Sequence, residues 1–405
     1  MNQLTFRIQF LFLIIFCCQL LSCKDKKSIE NQSIKIQIVE SAIPEEQKVD
    51  CKIELFDKEG LNILNAGIEK RGSSSSFYPK RSYSVRFKNS MPIKFQGIEI
   101  SGDWVLYAPY ADRSCIRNKL AETLFNDMGH YNSKSVFTEL YVGNEYRGVY
   151  ELSEKIGLHN KGLDQAKCIF KIDKLSGKKR EMRSSLLSPE VKIQVHDLSP
   201  KYSVEDAFLS VRNFEKALSD SGTTFEKYAV MNSLVDYFLF SEFANSPDAY
   251  RSSCYFQVQA DGRIKMGPIW DYDLAFGNSN LYFGQQTKGW RFPISESKSP
   301  YYSPSPIWWS LLFKKPTFRS ALLKRWSDLR KEDYSDRRLN QIVDSLSNNL
   351  QPLLTKNFKK WPVIAKPIKW VVLAQNSYPA ELMYLKNYLI YRAKWMDREL
   401  NKNRY

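Results

Sequence analysis

Hydrophobic residues recur with two different periods along this chain, and the change between them near residue 200 limits the folds that it can adopt. Over residues 34–88 apolar and polar residues alternate, which is typical of strands with one buried face. Beyond Val204 the apolar residues follow a helical spacing. The sequence therefore predicts an α+β fold, with a β-rich part over about residues 34–200 and a mostly helical part over residues 201–405.

Individual elements follow from the same patterns. Gly143 and Asn144 separate two alternating segments and suit a tight hairpin turn, and Asp261-Gly262 does the same further along. We predict strands over residues 34–39, 51–56, 83–87, 104–107, 139–142, 146–152, 169–172, 253–258 and 265–269. We predict helices over residues 116–128, 208–219, 225–243, 307–313, 318–332, 335–358 and 380–401, the first of them closed by Gly129.

The first two dozen residues are typical of an exported protein. Arg7 precedes an almost unbroken apolar run over residues 8–18; this run is short of the about 20 residues that span a bilayer, but it suits a signal-peptide core. Leu20-Leu21-Ser22-Cys23 resembles the lipobox of bacterial lipoproteins, in which cleavage exposes an acylated cysteine. We therefore expect a signal peptide over residues 1–22, a lipid anchor on Cys23 and a polar tether over residues 23–33; an ordinary cleavable signal is the alternative.

These first residues predict that the protein is located in the bacterial cell envelope. We expect lipid to anchor it to the outer membrane or to another envelope membrane. A periplasmic and a surface-facing orientation both remain open, and so does the oligomeric state. The net charge of +16 at pH 7 is scattered along the chain and suits anionic partners in general. No nucleic-acid-binding module accompanies it, so we expect no nucleic-acid partner.

Cysteine and histidine usage excludes several kinds of site. The cysteines after Cys23 are far apart and form no CxxC pair, which argues against zinc and dithiol motifs. Disulfides and buried thiols are both compatible with their spacing. The histidines show no ligand or triad spacing, so histidine-based catalysis is not indicated.

A glycine followed by hydroxyl residues and flanked by cations forms the first candidate site. Lys70-Arg71-Gly72-Ser73 opens it, and Lys80 lies just beyond. Small residues let backbone N–H groups approach a phosphate, and the cations offset its charge. A solvated β-turn is the alternative interpretation of the same residues.

Paired aspartates form the second candidate site. Asp248 precedes the hairpin expected around Asp261-Gly262, and Asp271 and Asp273 follow it. The hairpin would bring Asp248 and Asp271 near the same end. Carboxylate oxygens suit Mg²⁺ or Mn²⁺, so one aspartate could hold a metal on a phosphate while the other orients or deprotonates an attacking hydroxyl.

Several segments of the chain, in order, resemble the CotH (spore coat protein H) kinase family of atypical secreted protein kinases. The matching segments cover most of the body of the chain: Arg71-Gly72-Ser73-Ser74-Ser75, Pro79-Lys80-Arg81-Ser82-Tyr83, Gly102-Asp103-Trp104-Val105-Leu106, Asp112-Arg113-Ser114, Arg117-Asn118, Tyr146-Arg147-Gly148-Val149-Tyr150, Glu154-Lys155-Ile156, Asp248, Trp270-Asp271-Tyr272-Asp273 and Arg392 through Asp397.

The resemblance implies a distorted protein-kinase-like fold of two lobes over residues 34–405. It also implies binding of ATP with Mg²⁺ or Mn²⁺ and transfer of the γ-phosphoryl to a protein in the envelope or outside the cell. Two family aspartates match Asp248, in the position of the catalytic loop, and Asp271, in the metal-binding position; Asp273 would be an additional ligand.

The resemblance leaves the phosphate-binding lysine open between Lys171 and Lys155. Arg71, Gly72, Ser73 and Lys80 would add phosphate contacts. Many family members carry Asn five residues after the catalytic-loop aspartate, where this chain has Ser253, a weaker metal ligand. This departure supports an alternative function as a non-catalytic envelope binding, adhesin or assembly protein, and a hydrolase using the same carboxylates is a third possibility.

Overall fold

The structure of this protein is a computed structural model that describes residues 35–39, 43–45, 47–173, 180–182, 184, 186, 192–220, 224–295 and 306–402. The expected signal peptide, Cys23 and the tether lie outside these residues. No helix among the described residues is long and apolar enough to cross a membrane. The contacts within the chain separate two units.

The first unit comprises the described residues up to Ala108 together with Ser135–Ser153. Its strands are β1 (Lys35–Ile38), β2 (Val49–Asp57), β3 (Gly60–Arg71), β4 (Ser82–Phe87), β5 (Ile93–Phe95), β6 (Ile98–Ile100), β7 (Gly102–Tyr107), β8 (Ser135–Val142) and β9 (Glu145–Glu154). Seven of them form a closed barrel in the order β1-β2-β3-β4-β7-β9-β8, and β5 pairs with β6 separately. The barrel closes because β1 pairs antiparallel with β2 and parallel with β8.

The side chains that fill this barrel come from alternate residues along its strands. On β2, Cys51, Ile53 and Leu55 are buried while the residues between them are more exposed, as the period of two predicts. The predicted hairpin at Gly143 is confirmed: β8 and β9 pair antiparallel on either side of it, and Gly143 has a φ of 56°, which glycine adopts at little cost.

The second unit comprises Pro109–Lys134 and the described residues from Glu154 onward. Its sheet contains β10 (Ala166–Asp173), β11 (Glu181–Met182), β12 (Lys192–Leu198), β13 (Cys254–Gln259) and β14 (Ile264–Met266). The strand order is β11-β12-β10-β13-β14, and every pair is antiparallel. This sheet therefore joins strands from both sides of residue 200, where the period of the sequence changes.

Helices make up most of the rest of the second unit. They are α1 (Arg117–Asp127), α2 (Val204–Ser219), α3 (Met231–Ala244), α4 (Phe292–Ser295), α5 (Trp308–Lys314), α6 (Pro316–Lys331), α7 (Asp336–Lys360) and α8 (Tyr378–Lys402). The helix predicted over residues 225–243 is wrong at its start: a short 3-10 helix covers Phe225–Lys227, and α3 begins only at Met231. The backbone N–H of Val230 donates to the carbonyl of Ile264 instead. Because residue 230 is bound to the sheet in this way, the helix begins only after it.

The predicted combination of strands and helices, with a β-rich N-terminal part, is confirmed. Closure of that part into a barrel is a feature that the sequence did not reveal, and the kinase-like arrangement of two lobes stays a prediction. Cys51, Cys115, Cys168 and Cys254 are buried free thiols. Burial raises the pKa of Cys168 and of Cys254 to about 12, so both are protonated at neutral pH.

Candidate active site

The β13–β14 hairpin brings together the two segments that carry the predicted aspartates. Helix α3 ends at Ala244, and Asn245 takes a left-handed conformation with φ 47°, which turns the chain into a loop over residues 245–253. After β14 the chain returns to Asp271. Ser253 Oγ lies 3.4 Å from Asp271 Oδ2, so the loop of Asp248 meets the segment of Asp271 at the open end of the hairpin.

Asp248 presents a partly open carboxylate. Its side chain is 33% exposed, and Arg251 donates a hydrogen bond of 3.2 Å to Oδ1. Arg251 is itself fixed, because its Nε donates to the Pro247 carbonyl over 2.8 Å and its guanidinium lies 4.4 Å from the ring centre of Tyr282. The carboxylate therefore has a defined direction and one side free to meet an incoming hydroxyl.

Asp271 is exposed and held in an unusual backbone conformation. Its φ is 72°, a region that costs a residue with a side chain about 1–3 kcal/mol. The next residue anchors it: the backbone N–H of Tyr272 donates to Asn118 Oδ1 over 2.8 Å, and the buried Tyr272 ring packs 5.1 Å from that of Phe240. Such strain persists only where the surroundings impose it, and it is common at functional sites.

Lys171 lies close to this pair of segments. It sits on β10 opposite Tyr255 of β13, with its ammonium 5.6 Å from the Tyr255 ring centre, and it forms an ion pair with Asp173. Burial lowers the pKa of Lys171, but Tyr255, Asp173 and Asp271 together raise it above its usual value. Lys171 is therefore a cation at neutral pH, close enough to Asp271 to interact with it electrostatically.

The sequence did not reveal Asp173. Ile172 pairs with Cys254 across the sheet, so the end of β10 lies beside the start of β13. There Ser252 Oγ donates to Asp173 Oδ1 over 2.9 Å. The one available signal was the spacing of Lys171 and Asp173, because residues two apart on a strand lie on one face.

Asn118 is the second residue of the site that the sequence did not reveal, although it belongs to a matching family segment. It lies in the first turn of α1. Nothing in its local sequence indicates that its amide oxygen accepts a hydrogen bond from Tyr272, which lies 154 residues further along the chain.

Asp273 and Lys155 are the two other residues predicted for the site of the second unit. Asp273 is partly buried, and its carbonyl accepts a hydrogen bond of 2.7 Å from Asn278. Lys155 directly follows β9 and is partly exposed. Of the two candidate lysines, Lys171 interacts electrostatically with Asp271, which is among the causes of its pKa shift.

The donor atoms at Asp271 fit a hard divalent cation. They are carboxylate and hydroxyl oxygens, from Asp271 and Ser253, which Mg²⁺ and Mn²⁺ prefer. Within the described residues, no three His, Cys, Asp or Glu side chains form a group that could hold a metal. Mg²⁺ in phosphoryl-transfer sites usually takes only one or two carboxylates and completes its shell with water and phosphate, so the metal role stays a prediction.

A buried ionic network lies behind the loop of Asp248. Glu242 of α3 accepts hydrogen bonds from Tyr250 and from the backbone N–H groups of Arg291 and Phe292. Arg392 of α8 donates to the Glu242 carbonyl over 2.8 and 2.5 Å. Burial raises the pKa of Glu242, although Arg392 opposes it, and burial lowers the pKa of Arg291 to about 10.

This network holds the loop on both sides of Asp248. Arg291 donates to Asn245 Oδ1 through Nε and Nη2, at 2.9 and 2.6 Å, which fixes the residue where α3 ends. Tyr250, two residues beyond Asp248, is fully buried and bound to Glu242. The position of Asp248 therefore depends on contacts with residues far away in the sequence.

A second buried network lies behind Asp271. Asp112 accepts from the backbone N–H of Arg117 over 2.8 Å and from its guanidinium over 2.5 Å, which caps the start of α1. Arg117 also donates to Glu381 of α8 over 3.2 Å. All three side chains are almost fully buried. Since Asn118 follows Arg117, this network fixes the side chain that holds the Tyr272 backbone.

The glycine–serine segment belongs to the first unit, whereas the aspartates belong to the second. Gly72 follows β3 with φ 133°, and a Cβ there would lie 2.6 Å from Ser75 Oγ, so the turn requires glycine. Arg71 ends β3 partly exposed, and Ser73 is exposed. A 3-10 helix over Ser74–Phe77 follows. This geometry is that of a surface turn, and its contact with phosphate stays a prediction.

Lys80 is buried in the first unit. It donates to the Val149 carbonyl over 2.6 Å and lies 5.0 Å from the ring centre of Tyr150. Its ammonium therefore has partners within the barrel, and its contact with phosphate stays a prediction.

Comparison with known proteins agrees with the resemblance seen in the sequence. A family model described as CotH kinase protein matches residues 68–396. The inner spore coat protein H of Bacillus subtilis (strain 168) is 24% identical over 225 residues, which cover 53% of this chain and 59% of that relative. The match thus spans about three-fifths of the relative's length.

Proposed function

Since this chain belongs to the CotH kinase protein family, we propose that it is a metal-dependent phosphotransferase, an atypical protein kinase that transfers the γ-phosphoryl of ATP to envelope or secreted proteins. The observation that carries the proposal is the meeting of three groups in the second unit. These are the exposed and strained Asp271, the neighbouring cation Lys171, and the loop of Asp248 that contacts Asp271 through Ser253.

In this proposal Asp248 acts on the protein substrate. Arg251 keeps its carboxylate in one direction, and the open side accepts a hydrogen bond from the attacking hydroxyl. Asp248 then orients that oxygen towards the phosphorus and takes its proton, which is the role that phosphoryl transfer requires of such a carboxylate.

Asp271 and Lys171 act on the nucleotide. Asp271 would hold Mg²⁺ or Mn²⁺, with Asp273 and the Ser253 hydroxyl as further oxygen donors. The ion, when bound, neutralises phosphate charge. The Lys171 ammonium provides a second positive charge for the phosphate oxygens. The anchored left-handed backbone at Asp271 fixes the direction in which its side chain leaves the chain, which reduces the entropy lost when the nucleotide binds.

We further propose that a lipid on Cys23 holds the protein to a membrane of the cell envelope, so that its substrates are proteins of that compartment or secreted proteins. The leader described above supports this part of the proposal. Mass spectrometry of the protein purified from its native membrane would detect an acylated Cys23 as the first residue, whereas an unmodified or different N-terminus would contradict it.

A transfer assay tests the catalytic part. The protein is incubated with γ-labelled ATP, Mg²⁺ or Mn²⁺ and an envelope protein extract, beside Asp248→Ala, Asp271→Ala and the control Asp261→Ala. Asp261 is an exposed residue of the β13–β14 turn, at the other end of the hairpin. Transfer lost in the first two variants and kept in the third supports the proposal, and equal transfer by Asp271→Ala contradicts the role given to that residue.

Two observations favour a second function. Ser253 offers a hydroxyl where many family members have an amide, and that hydroxyl already lies near Asp271, so a second metal site would be weak. A relative named as a coat protein also supports a role in assembly. Metal-dependent binding of ATP without turnover would favour this non-catalytic function, and a Ser253→Asn variant that gains transfer would strengthen that conclusion.

A further inference from the structure

Asp173 ends β10 and carries out no step of the proposed reaction, yet it joins two parts of the candidate active site. Its two carboxylate oxygens have different partners. Oδ2 forms the ion pair with Lys171, and Oδ1 accepts the hydrogen bond of 2.9 Å from Ser252. One side chain thus connects the candidate phosphate-binding lysine to the loop that contains Asp248.

Burial gives both contacts more weight than they would have on the surface. The side chains of Lys171 and Asp173 are only 20% and 22% exposed. An exposed pair of this kind is worth little, because water screens it, whereas a charge-assisted bond in a partly buried place is roughly twice as strong as a neutral one. Lysine also has a long flexible stem, so its head needs a partner to stay in one place.

Asp271 also acts on the Lys171 ammonium electrostatically, and it is the carboxylate that the proposed metal requires. The ion pair with Asp173 holds that ammonium. A change at Asp173 therefore affects the lysine that would meet the phosphates as well as the end of the Asp248 loop.

We propose that Asp173 is a positioning residue, which holds the Lys171 ammonium in place and fixes the Ser252–Ser253 end of the Asp248 loop. The effect of Asp173 on catalysis rests on the proposed function, but its ion pair with Lys171 does not. The two contacts can be removed separately. Asp173→Asn is nearly isosteric and keeps an oxygen for Ser252 while it loses the ion pair, and Ser252→Ala removes only the hydrogen bond.

The chain provides a matched control. Asp261 pairs with Arg263 over 2.6 Å, also two residues apart, in the β13–β14 turn. Asp261→Asn therefore removes an ion pair of the same spacing from the turn of the β13–β14 hairpin, at the end away from the candidate active site. Thermal unfolding of all variants shows whether any effect is a general loss of stability.

Two measurements on the full-length protein test the proposal. Acetylation of Lys171 by a water-soluble ester, followed by mass spectrometry with Lys265 as the internal reference, reports on the lysine alone. We expect Asp173→Asn to increase the relative rate at Lys171 severalfold and Asp261→Asn to leave it unchanged. Titration with Mg²⁺ and ATP should show binding weakened about tenfold in Asp173→Asn, equivalent to about 1.4 kcal/mol, and weakened less in Ser252→Ala.

The acetylation rate of Lys171 and the affinity for ATP together support or overturn the proposal. Unchanged acetylation of Lys171 in Asp173→Asn overturns it, whether or not ATP binds. Faster acetylation with weaker ATP binding supports it in full. Faster acetylation with unchanged ATP binding overturns the positioning role, because Lys171 is then held without consequence for the site. If the wild type binds no ATP, the proposed function fails. Faster acetylation of Lys171 in Asp173→Asn would still show that Asp173 holds Lys171 in place.

Discussion

Two buried arginines of the second unit, Arg117 and Arg392, each lie behind the segment of one aspartate, but they hold it by different interactions. Arg117 donates to two carboxylates, at 2.5 Å to Asp112 and 3.2 Å to Glu381. Arg392 donates mainly to backbone carbonyls, at 2.5 Å to Glu242 and 2.7 Å to Gly289. The carboxylate of Glu242 is 3.5 Å away.

The directions of the pKa shifts reflect this difference. Burial lowers the pKa of Arg117, but Asp112 and Glu381 raise it above its usual value. Burial also lowers the pKa of Arg392, and there Tyr388 and Glu242 do not compensate for it. Ion pairs with carboxylates therefore hold the Asp271 side together, whereas the fork of a guanidinium on backbone carbonyls holds the Asp248 side.

The largest effect is expected for Arg117→Met. It leaves two buried carboxylates without their shared cation, and loss of one partner from a buried ion pair typically costs about 3–5 kcal/mol. Arg117→Lys should recover part of this loss, because it keeps the charge. Urea unfolding at pH 7 measures both free energies, and an equal loss in the two variants would show that charge is not what matters at this position.

Arg392 should give the opposite pattern. Both Arg392→Met and Arg392→Lys lose the fork that binds the carbonyls of Glu242 and Gly289, and unpaired buried groups cost about 1–3 kcal/mol. Because both variants lose the same bonds to these carbonyls, we expect them to lose similar amounts of unfolding free energy in the same urea experiment. A lysine variant close to the wild type would contradict the comparison.

Asn118→Ala should weaken the Asp271 side locally. It removes the acceptor of the Tyr272 N–H and should cost about 1–2 kcal/mol of unfolding free energy, with a clear loss of ATP binding because Asp271 is the adjacent residue. Asn401→Ala is the control, since Asn401 is exposed at the end of α8 and donates to the Asp397 carbonyl. Equal ATP binding by Asn118→Ala and the wild type would refute this link.

The smallest effect concerns Cys254, which follows the Asp248 loop. Its pKa is about 12 when folded, against an ordinary value of 9.0. The folded protein therefore holds the proton more tightly, and the unfolding free energy should fall as pH rises above 9, by about 1 kcal/mol at pH 10. The difference in pH slope between the wild type and Cys254→Ala isolates this thiol from the tyrosines.

The same pKa predicts slow chemistry at the thiol. Iodoacetamide at pH 8 should alkylate Cys254 and Cys168 in the folded protein at least about a hundredfold more slowly than in denaturant, because the thiolate is the reactive form. Site-resolved mass spectrometry measures both rates. Fast alkylation in the folded protein would show that the core beside the Asp248 loop opens readily.

Local patterns predicted what depends on neighbouring residues. The alternation on β2 predicted its buried face, Gly129 helped predict the end of α1, and the Asp261-Gly262 turn predicted the hairpin that brings the segments of Asp248 and Asp271 together. Each of these features is determined within a few residues or by one short turn, and the periods of two and 3.6 residues detect such features.

Distant pairings could not be predicted in this way. The parallel pairing of β1 with β8 closes the barrel between strands about a hundred residues apart in sequence. Asp173 meets Ser252 across 79 residues, and Arg117 meets Glu381 across 264. No single segment encodes these contacts, because they depend on which strands and helices become neighbours in the folded chain.

Calorimetric titration of ATP with and without Mg²⁺ measures directly whether Asp271 holds the metal of an ATP site. We predict binding by the wild type that requires Mg²⁺ and is lost in Asp271→Asn, while Asp261→Asn binds normally. Absence of binding in the wild type, or equal binding by Asp271→Asn, would show that Asp271 does not have this role.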